Sequence, residues 1–252
     1  QIHGKIDELQ WDGSLEIKDA TLRLAAGGTL IERINTRLRL TGRSVTIESG
    51  TAKIGDGSVQ LSGGVLWPPG DDLRLNVRAE LARASLRPVP EAQARVSGDL
   101  SFVGPSRDFL IKGQLRIDSL RYTTNLEIER LLQRHHAVLS APSAASPRVV
   151  SLRVGLQGPN NIFVSSTMLE AELKADLLLT GTVDRPGLIG NVTPLWARAR
   201  YRDNELVVER ASIDFVEEYR IFPRFHIEAR TDACGMQIAV NIAGDADRYL
   251  VT

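Results

Sequence analysis

The sequence has little cysteine, few aromatic residues and no net charge. Its single cysteine, Cys234, excludes a disulfide within the chain, so a small disulfide-stapled domain is not expected. Aromatic residues make up only 5% of the chain. The 31 basic and 31 acidic side chains balance, which argues against a nucleic-acid-binding protein, because such proteins usually carry a basic excess toward phosphate.

Long apolar runs are also missing. No run approaches the roughly 20 apolar residues of a membrane-spanning helix, and no signal peptide is present at Gln1. We therefore expect a piece excised from a longer protein, whose own targeting signals the piece does not reveal. With 252 residues, 42% of them hydrophobic, the chain is long enough for one large β domain or two smaller ones.

What the sequence does contain is a two-residue alternation of apolar and polar side chains between closely spaced turns. The clearest run extends from Leu73 to Leu81, where aliphatic residues alternate with arginine, asparagine and glutamate. Turn residues recur at a spacing of roughly 8–12 residues, which is typical of an all-β protein. Each strand is predicted to have one apolar and one polar face.

One segment departs from this alternation. Residues 124–139 place apolar side chains at helical spacing, and Thr124 followed by Glu127 fits a capping box. The pattern predicts a short amphipathic helix, followed by a flexible loop of small residues and proline. The chain is then a single elongated unit, 1–252, with a first strand block at 1–123, the helix and loop at 124–147, and a second strand block at 148–252.

The apolar stripe of this helix must be buried somewhere. One interpretation is a lid over the apolar face of the sheet, and the other is a fixed part of the core, because such a stripe is ordinary for any packed helix. The possible lid residues are Ile128, Leu131, Leu132 and Leu139.

No catalytic or metal-binding constellation is found. His135 and His136 are adjacent on the predicted helix and would point about 100° apart, so they cannot easily share a metal ion. Asp71-Asp72 and the pair Asp245 and Asp247 lie in or near turns, where aspartate bonds to the backbone, and they lack the further oxygen ligands of a calcium site. We expect no enzyme activity, no cofactor and no metal.

The apolar rows remain as the candidate functional feature. The alternative interpretation is that they form the core of a β-sandwich. The few aromatics, the dense charge on the polar face and the lack of long crossovers favour a single long antiparallel sheet, curled on itself with an apolar interior. The predicted groove-lining residues are Leu15, Ile17, Leu22, Leu24, Leu38, Leu40, Val45, Ile47, Val59, Leu61, Leu73, Leu75, Val77, Leu100, Phe102, Leu115, Ile117, Leu152, Val154, Leu177, Leu179, Leu206, Val208, Ile213, Phe215, Phe225, Ile227, Ile238, Val240 and Ile242.

Several strand–turn–strand runs, at residues 179–190, 201–215 and 220–229, resemble in this order the C-terminal domain of the TamB family of bacterial envelope proteins. Residues 13–20 and 38–65 are similar to the same family. Each run alone encodes little beyond two strands and a turn, and their order makes the resemblance specific. Pro194 departs from the family pattern and predicts a bulge or an edge at that point.

The resemblance implies a curled sheet described as a taco or groove. It implies a periplasmic location, in a parent anchored in the inner membrane of a Gram-negative bacterium. It further implies conduction of phospholipid acyl chains between the inner and outer membranes, a role in outer-membrane biogenesis, and an outer-membrane barrel partner of the TamA/BamA type. Two alternatives stay open: an assembly chaperone whose edge strand pairs with client strands, and a structural spacer with a dry core.

Overall fold

The computed structural model describes residues 2–3, 10–23, 29–123, 149–201, 204–233, 236–245 and 247–252, and all regular structure in these ranges is β-strand. No helix in the described ranges is long and apolar enough to cross a membrane. The strands are β1 (Ile2–His3), β2 (Gln10–Arg23), β3 (Leu30–Gly42), β4 (Ser44–Ile54), β5 (Gly57–Leu66), β6 (Arg74–Leu86), β7 (Ala92–Pro105), β8 (Asp108–Thr123), β9 (Val149–Ser165), β10 (Leu169–Gly181), β11 (Pro186–Tyr201), β12 (Asn204–Glu217), β13 (Pro223–Ala233), β14 (Met236–Asp245) and β15 (Tyr249–Val251).

The fifteen strands form one sheet whose spatial order is the order of the chain, from β1 to β15. Each strand therefore pairs with its neighbours in sequence, as expected from alternating strands joined by short turns. The strands β1 and β15 are the two edges of the sheet and do not pair with each other, so the sheet is open. The prediction of an all-β chain built on one long sheet is confirmed.

The prediction of a wholly antiparallel sheet is wrong at one place. Of the fourteen strand pairs described, thirteen are antiparallel, but β8 and β9 run parallel, with Leu115 opposite Leu156 and Leu120 opposite Ile162. Parallel neighbours need a connection of a dozen residues or more, because the chain must return to the edge where the first strand began. The 25 residues between Thr123 and Val149 are enough for that return.

The predicted helix and flexible loop fall in this connection and lie outside the described residues. The four possible lid residues, Ile128, Leu131, Leu132 and Leu139, lie there too. The division of the chain into two strand blocks around 124–147 stays a prediction.

Bulges interrupt the strands and bend them. Four non-glycine residues have a positive φ, namely Asp19 (50°), Arg33 (50°), Arg83 (52°) and Asn161 (64°), and each lies at a shift in strand register. A bulge inserts an extra residue into one strand, bends that strand and increases its twist. Repeated along the sheet, these bulges give it curvature.

The predicted irregularity at Pro194 is one of these bulges. Leu173 pairs with Pro194 and Glu172 pairs with Trp196, so Leu195 is the extra residue of β11. Proline has no backbone N–H to donate to a ladder, so it is tolerated where pairing is already interrupted.

The sheet curls near the start of β3. The backbone N–H of Arg87, in the β6–β7 turn, donates to Oγ1 of Thr29 at 3.4 Å, although β3 and β6 are three strands apart in the sheet. Ile31 and Ile34 pack against the cluster around Ala84. Such contacts between separated strands require the sheet to bend toward the face that carries these side chains.

One face of the sheet carries all sixteen buried apolar residues of the described chain. Residues directly opposite each other on paired strands point to the same face, and the pairing joins Ala52, Val59, Leu81, Gly98 and Leu115 into one such row. The burial of small side chains in a single-layered sheet shows that this face is the concave one. The sixteen are Ala52, Ile54, Val59, Ala79, Ala84, Ala92, Ala94, Val96, Leu115, Ile117, Val154, Ile162, Ala171, Ala175, Ala197 and Ala229.

Candidate functional site

The concave apolar face is the candidate site, and cross-strand rows build it. Near the first edge, Leu15 lies opposite Leu38 and Leu38 lies opposite Ile47. Toward the other edge, Ile227 lies opposite Ile242, with Val240 two residues before it on β14. The apolar alternation within each strand thus becomes a continuous surface that crosses the strands.

The register places the groove-lining residues predicted from the sequence on this one face, with two qualifications. Leu73 precedes the first residue of β6, and Leu24 lies outside the described residues. The remaining predicted residues are found in strands β2 to β14. Their role in binding lipid stays a prediction.

Apolar side chains line the concave face but do not fill the space in front of it. Among the described residues no large side chain is fully buried, and most of the buried ones are alanine or valine. Leu15 and Leu22, on the same face, are 51% and 53% exposed. A β-sandwich would instead bury large side chains between two sheets, so the face is an open groove.

Two apolar clusters line the groove, and Leu120 packs against both. The first surrounds Ala84, which is completely buried, and lies on strands β4 to β7. The second contains Ile117, Ile162 and Ala175 on β8, β9 and β10. Because Leu120 contacts both clusters, the apolar surface passes through the parallel β8–β9 junction without a break.

Glycines leave gaps in the cross-strand rows of apolar side chains on the concave face. Gly63 has φ 101° and Gly190 has φ 129°, a backbone conformation that residues with a side chain rarely adopt. A Cβ at Gly63 would lie 2.1 Å from the carbonyl oxygen of Asn76, so only glycine fits there. Gly63 lies opposite Val77, and Gly190 lies opposite Leu177, so the face has a gap beside a large side chain at each point.

The opposite face is polar and solvated. Glu16 contacts Lys18 and Arg37, each at 3.1 Å, and Arg230 contacts Glu209 at 3.2 Å. The hydrogen bond from Lys18, followed by that from Arg37, lowers the pKa of Glu16. All these side chains are more than a third exposed, so each pair contributes little to stability.

The aspartates weighed as possible ligands form turns, as predicted. Oδ1 of Asp245 accepts the backbone N–H groups of Arg248 at 2.8 Å and Asp247 at 2.9 Å, and these bonds lower the pKa of Asp245. Asp71 accepts the backbone N–H of the next residue at 2.8 Å and is also paired with Arg74, which together lower its pKa. Their oxygens are engaged locally.

The described ranges contain no group of three or more metal-ligating side chains. His226 contacts Glu228 at 3.2 Å on the polar face, and His135 and His136 lie outside the described residues. The polar face also has an open depression of about 700 Å³, lined by Arg116, Lys174 and neighbouring residues, where β9 bulges at residues 158–161. No local sequence pattern predicted this depression, because its position depends on register shifts that coincide on three neighbouring strands.

The family model of the TamB C-terminal domain matches residues 48–250. The match runs from within β4 to β15 and so includes most of both apolar clusters and the parallel junction. No curated protein matches the chain.

Proposed function

Since the chain belongs to the TamB C-terminal domain family of periplasm-spanning translocation and assembly proteins, we propose that its groove carries phospholipid acyl chains between the inner and outer membranes. The parent protein is anchored in the inner membrane in this proposal, and an outer-membrane barrel of the TamA/BamA type is its partner. The proposal assigns the groove a transport role and no catalytic step.

The observation that carries this proposal is the open concave face. It gathers every buried apolar residue of the described chain but leaves large aliphatic side chains accessible. An acyl chain gains about 0.8 kcal/mol for each CH₂ group that it removes from water. Fourteen steps between fifteen strands, at about 4.8 Å each, give a path of about 67 Å along the curved sheet. An acyl chain that slides along such a surface keeps most of this free energy of burial throughout its passage.

The test compares one substitution on each face at neighbouring positions. Leu61 lies on the apolar face opposite Ala79, and Gln60 lies on the polar face opposite Glu80. In Leu61→Arg a charge enters the groove, where it is costly without a partner, whereas in Gln60→Arg the new charge faces a carboxylate. Crosslinking of a photoreactive phospholipid should fall about fivefold or more in Leu61→Arg and stay unchanged in Gln60→Arg.

Folding is measured on the same samples by circular dichroism and urea unfolding. If Leu61→Arg is folded and still takes up lipid as well as the unsubstituted chain, the groove does not carry acyl chains.

A second candidate function is strand pairing with client proteins. Asn241 and Thr252 exchange two backbone hydrogen bonds, at 2.8 and 2.9 Å, so the N–H of Val251 points away from β14. Val251 is 55% exposed, and an open edge of this kind is a template for another strand. Crosslinks from Val251 to an outer-membrane client, lost in Val251→Pro and retained in Val251→Ala, would support this candidate.

A further inference from the structure

The ends of the strands form the two long edges of the groove. In the β2–β8 half, one edge consists of the β2–β3, β4–β5 and β6–β7 connections and the end of β8, with the four strand residues beside each. The other edge consists of the start of β2 and the β3–β4, β5–β6 and β7–β8 connections, taken in the same way. A phospholipid with its acyl chains on the concave face must hold its phosphate in water beyond one of these edges.

The two edges differ in charge. The first has seven cationic side chains against three anionic ones, a net charge of plus four among its described residues, and we name it the basic edge. The opposite edge has four of each sign. The cations of the basic edge, all exposed, are Arg23, Arg33, Lys53, Arg83, Arg87, Arg95 and Arg121, and its anions are Glu32, Asp56 and Glu91.

Ion pairing increases the difference in available positive charge between the two edges. At the opposite edge Arg74 pairs with Asp71 at 2.6 Å, Arg107 pairs with Asp72 at 3.4 Å, and Arg39 pairs with Glu48. Along the basic edge the described side chains form a single ion pair, between Arg95 and Asp56 at 3.7 Å. The other six cations of this edge make no ion pair with a described side chain, so their charge remains available to a ligand.

The curl of the sheet brings two parts of the basic edge together. The hydrogen bond from the Arg87 backbone to Thr29 brings the β6–β7 turn to the start of β3. Arg87 and the cations at the start of β3 therefore lie closer together than they would in a flat sheet.

The excess is confined to this half of the sheet. The corresponding edge of β9–β14 has three cations and four anions among its described residues, and Arg198–Glu205 and Arg230–Glu209 pair there at 3.8 and 3.2 Å. The other three edge segments are balanced or slightly acidic. The basic excess is therefore specific to this edge of the β2–β8 half and is not a general feature of the charged surface.

We propose that the basic edge binds the phosphate of phospholipids whose acyl chains lie in the groove, so that lipids pass the β2–β8 half with their headgroups on this side. The proposal rests on the transport function proposed above. It predicts a preference for anionic headgroups, such as phosphatidylglycerol, because their negative charge is not cancelled by an ammonium group.

The experiment uses two triple variants with the same change in charge. The first is Lys53→Gln, Arg87→Gln and Arg121→Gln on the basic edge, and the control is Arg39→Gln, Arg74→Gln and Arg107→Gln on the opposite edge. Each full chain is mixed with phosphatidylcholine vesicles that contain either a photoreactive phosphatidylglycerol or a photoreactive diacylglycerol with the same acyl chains. Crosslinked lipid is counted and mapped by mass spectrometry at low and high salt.

For the basic-edge variant, crosslinking of phosphatidylglycerol should fall about fivefold or more at low salt, and the difference should vanish near 0.5 M salt. Diacylglycerol, which has no phosphate, should crosslink as it does to the unsubstituted chain. The control variant should stay within about twofold for both lipids, because surface ion pairs contribute little to stability. Equal losses in the two triples, or no loss in either, would overturn the proposal.

Other outcomes separate this proposal from the transport function. If the unsubstituted chain takes up neither lipid in the groove, both proposals fail. If it takes up both lipids and the basic-edge variant does so equally well, the headgroup assignment alone is wrong. Crosslinks that map only to the polar face would indicate binding to the vesicle surface and would likewise overturn it.

Discussion

The backbone N–H of Arg83 donates a hydrogen bond to Oγ of Ser97 on the neighbouring strand, at 3.0 Å. Arg83 is an extra residue of the β6 bulge and has φ 52°, so its N–H has no partner in the strand ladder. Ser97 in turn donates to a carboxylate oxygen of Asp118 on the next strand. A side chain of the adjacent strand thus satisfies the backbone group that the bulge leaves unpaired.

Two other bulges are capped in the same way. The N–H of Asp19 donates to Oδ1 of Asn35 at 3.1 Å, and the N–H of Asn161 donates to Oε1 of Glu172 at 3.3 Å. The recurrence indicates that the bends which curl the sheet are stabilised individually, by polar side chains that a regular strand would not need.

Removing one such cap should destabilise the fold. In Ser97→Ala the N–H of Arg83 loses its acceptor, and we expect the free energy of unfolding to fall by about 1 kcal/mol. Ser101→Ala, on the same strand and the same face, removes a hydroxyl without a hydrogen bond to a described residue and serves as the control. Urea unfolding measures both, and equal losses would mean that the cap at Arg83 does not stabilise the bulge.

Alanine should be tolerated very differently at two glycines. In Gly63→Ala the new Cβ meets the Asn76 carbonyl at a φ of 101°, so we expect a loss of about 2 kcal/mol or more in the free energy of unfolding. In Gly13→Ala nothing lies within 4 Å of the Cβ. That change should be neutral or stabilise by up to about 1 kcal/mol, because alanine has less conformational freedom in the unfolded chain.

Urea unfolding compares the free energies of unfolding of the two glycine variants, with the same dependence on urea concentration assumed for both. A Gly63→Ala variant as stable as Gly13→Ala would show that the backbone at residue 63 does not hold the positive φ.

The turn at Asp245 should make stability depend on pH in the acid range. Backbone N–H groups of Arg248 and Asp247 lower the pKa of Asp245 in the folded state, below its ordinary value of 3.8. A lowered folded pKa means that the ionised carboxylate stabilises the fold above pH 3.8, and that this contribution is lost as the pH falls from there through the folded pKa. Asn at this position keeps an oxygen acceptor but does not titrate.

Asp245→Asn should therefore lose less stability than the unsubstituted chain as the pH falls below about 4. Thermal unfolding followed by circular dichroism at a series of pH values measures the effect. Parallel profiles for the two chains would contradict it, since the carboxylate would then contribute equally in the folded and unfolded states.

The sequence alone predicted the chemistry of each strand. Alternation such as that from Leu73 to Leu81 identifies an apolar and a polar side, because successive residues of a strand point in opposite directions. Pro194 predicted its bulge and Asp245 its turn, since each acts through its own backbone or that of its near neighbours. The family resemblance is likewise confirmed by the family match over residues 48–250.

The parallel β8–β9 junction could not be predicted in this way. Strand alternation looks the same in parallel and antiparallel neighbours, and the direction of β9 depends on the path of the 25 residues before Val149. The prediction of an antiparallel sheet followed from short turns elsewhere, and it fails at the one place where the connection is long.

The amino-acid sequence by itself determined that the strands exist, which of their residues are apolar and where their turns lie, because these depend on residues close together in the chain. Only the tertiary structure decided that the apolar faces form one open concave surface, because curvature is the sum of bulges on many strands. It also decided that Lys53, Arg87 and Arg121 share one edge. Their common position depends on how many times the chain reverses between them, which no local pattern of residues records.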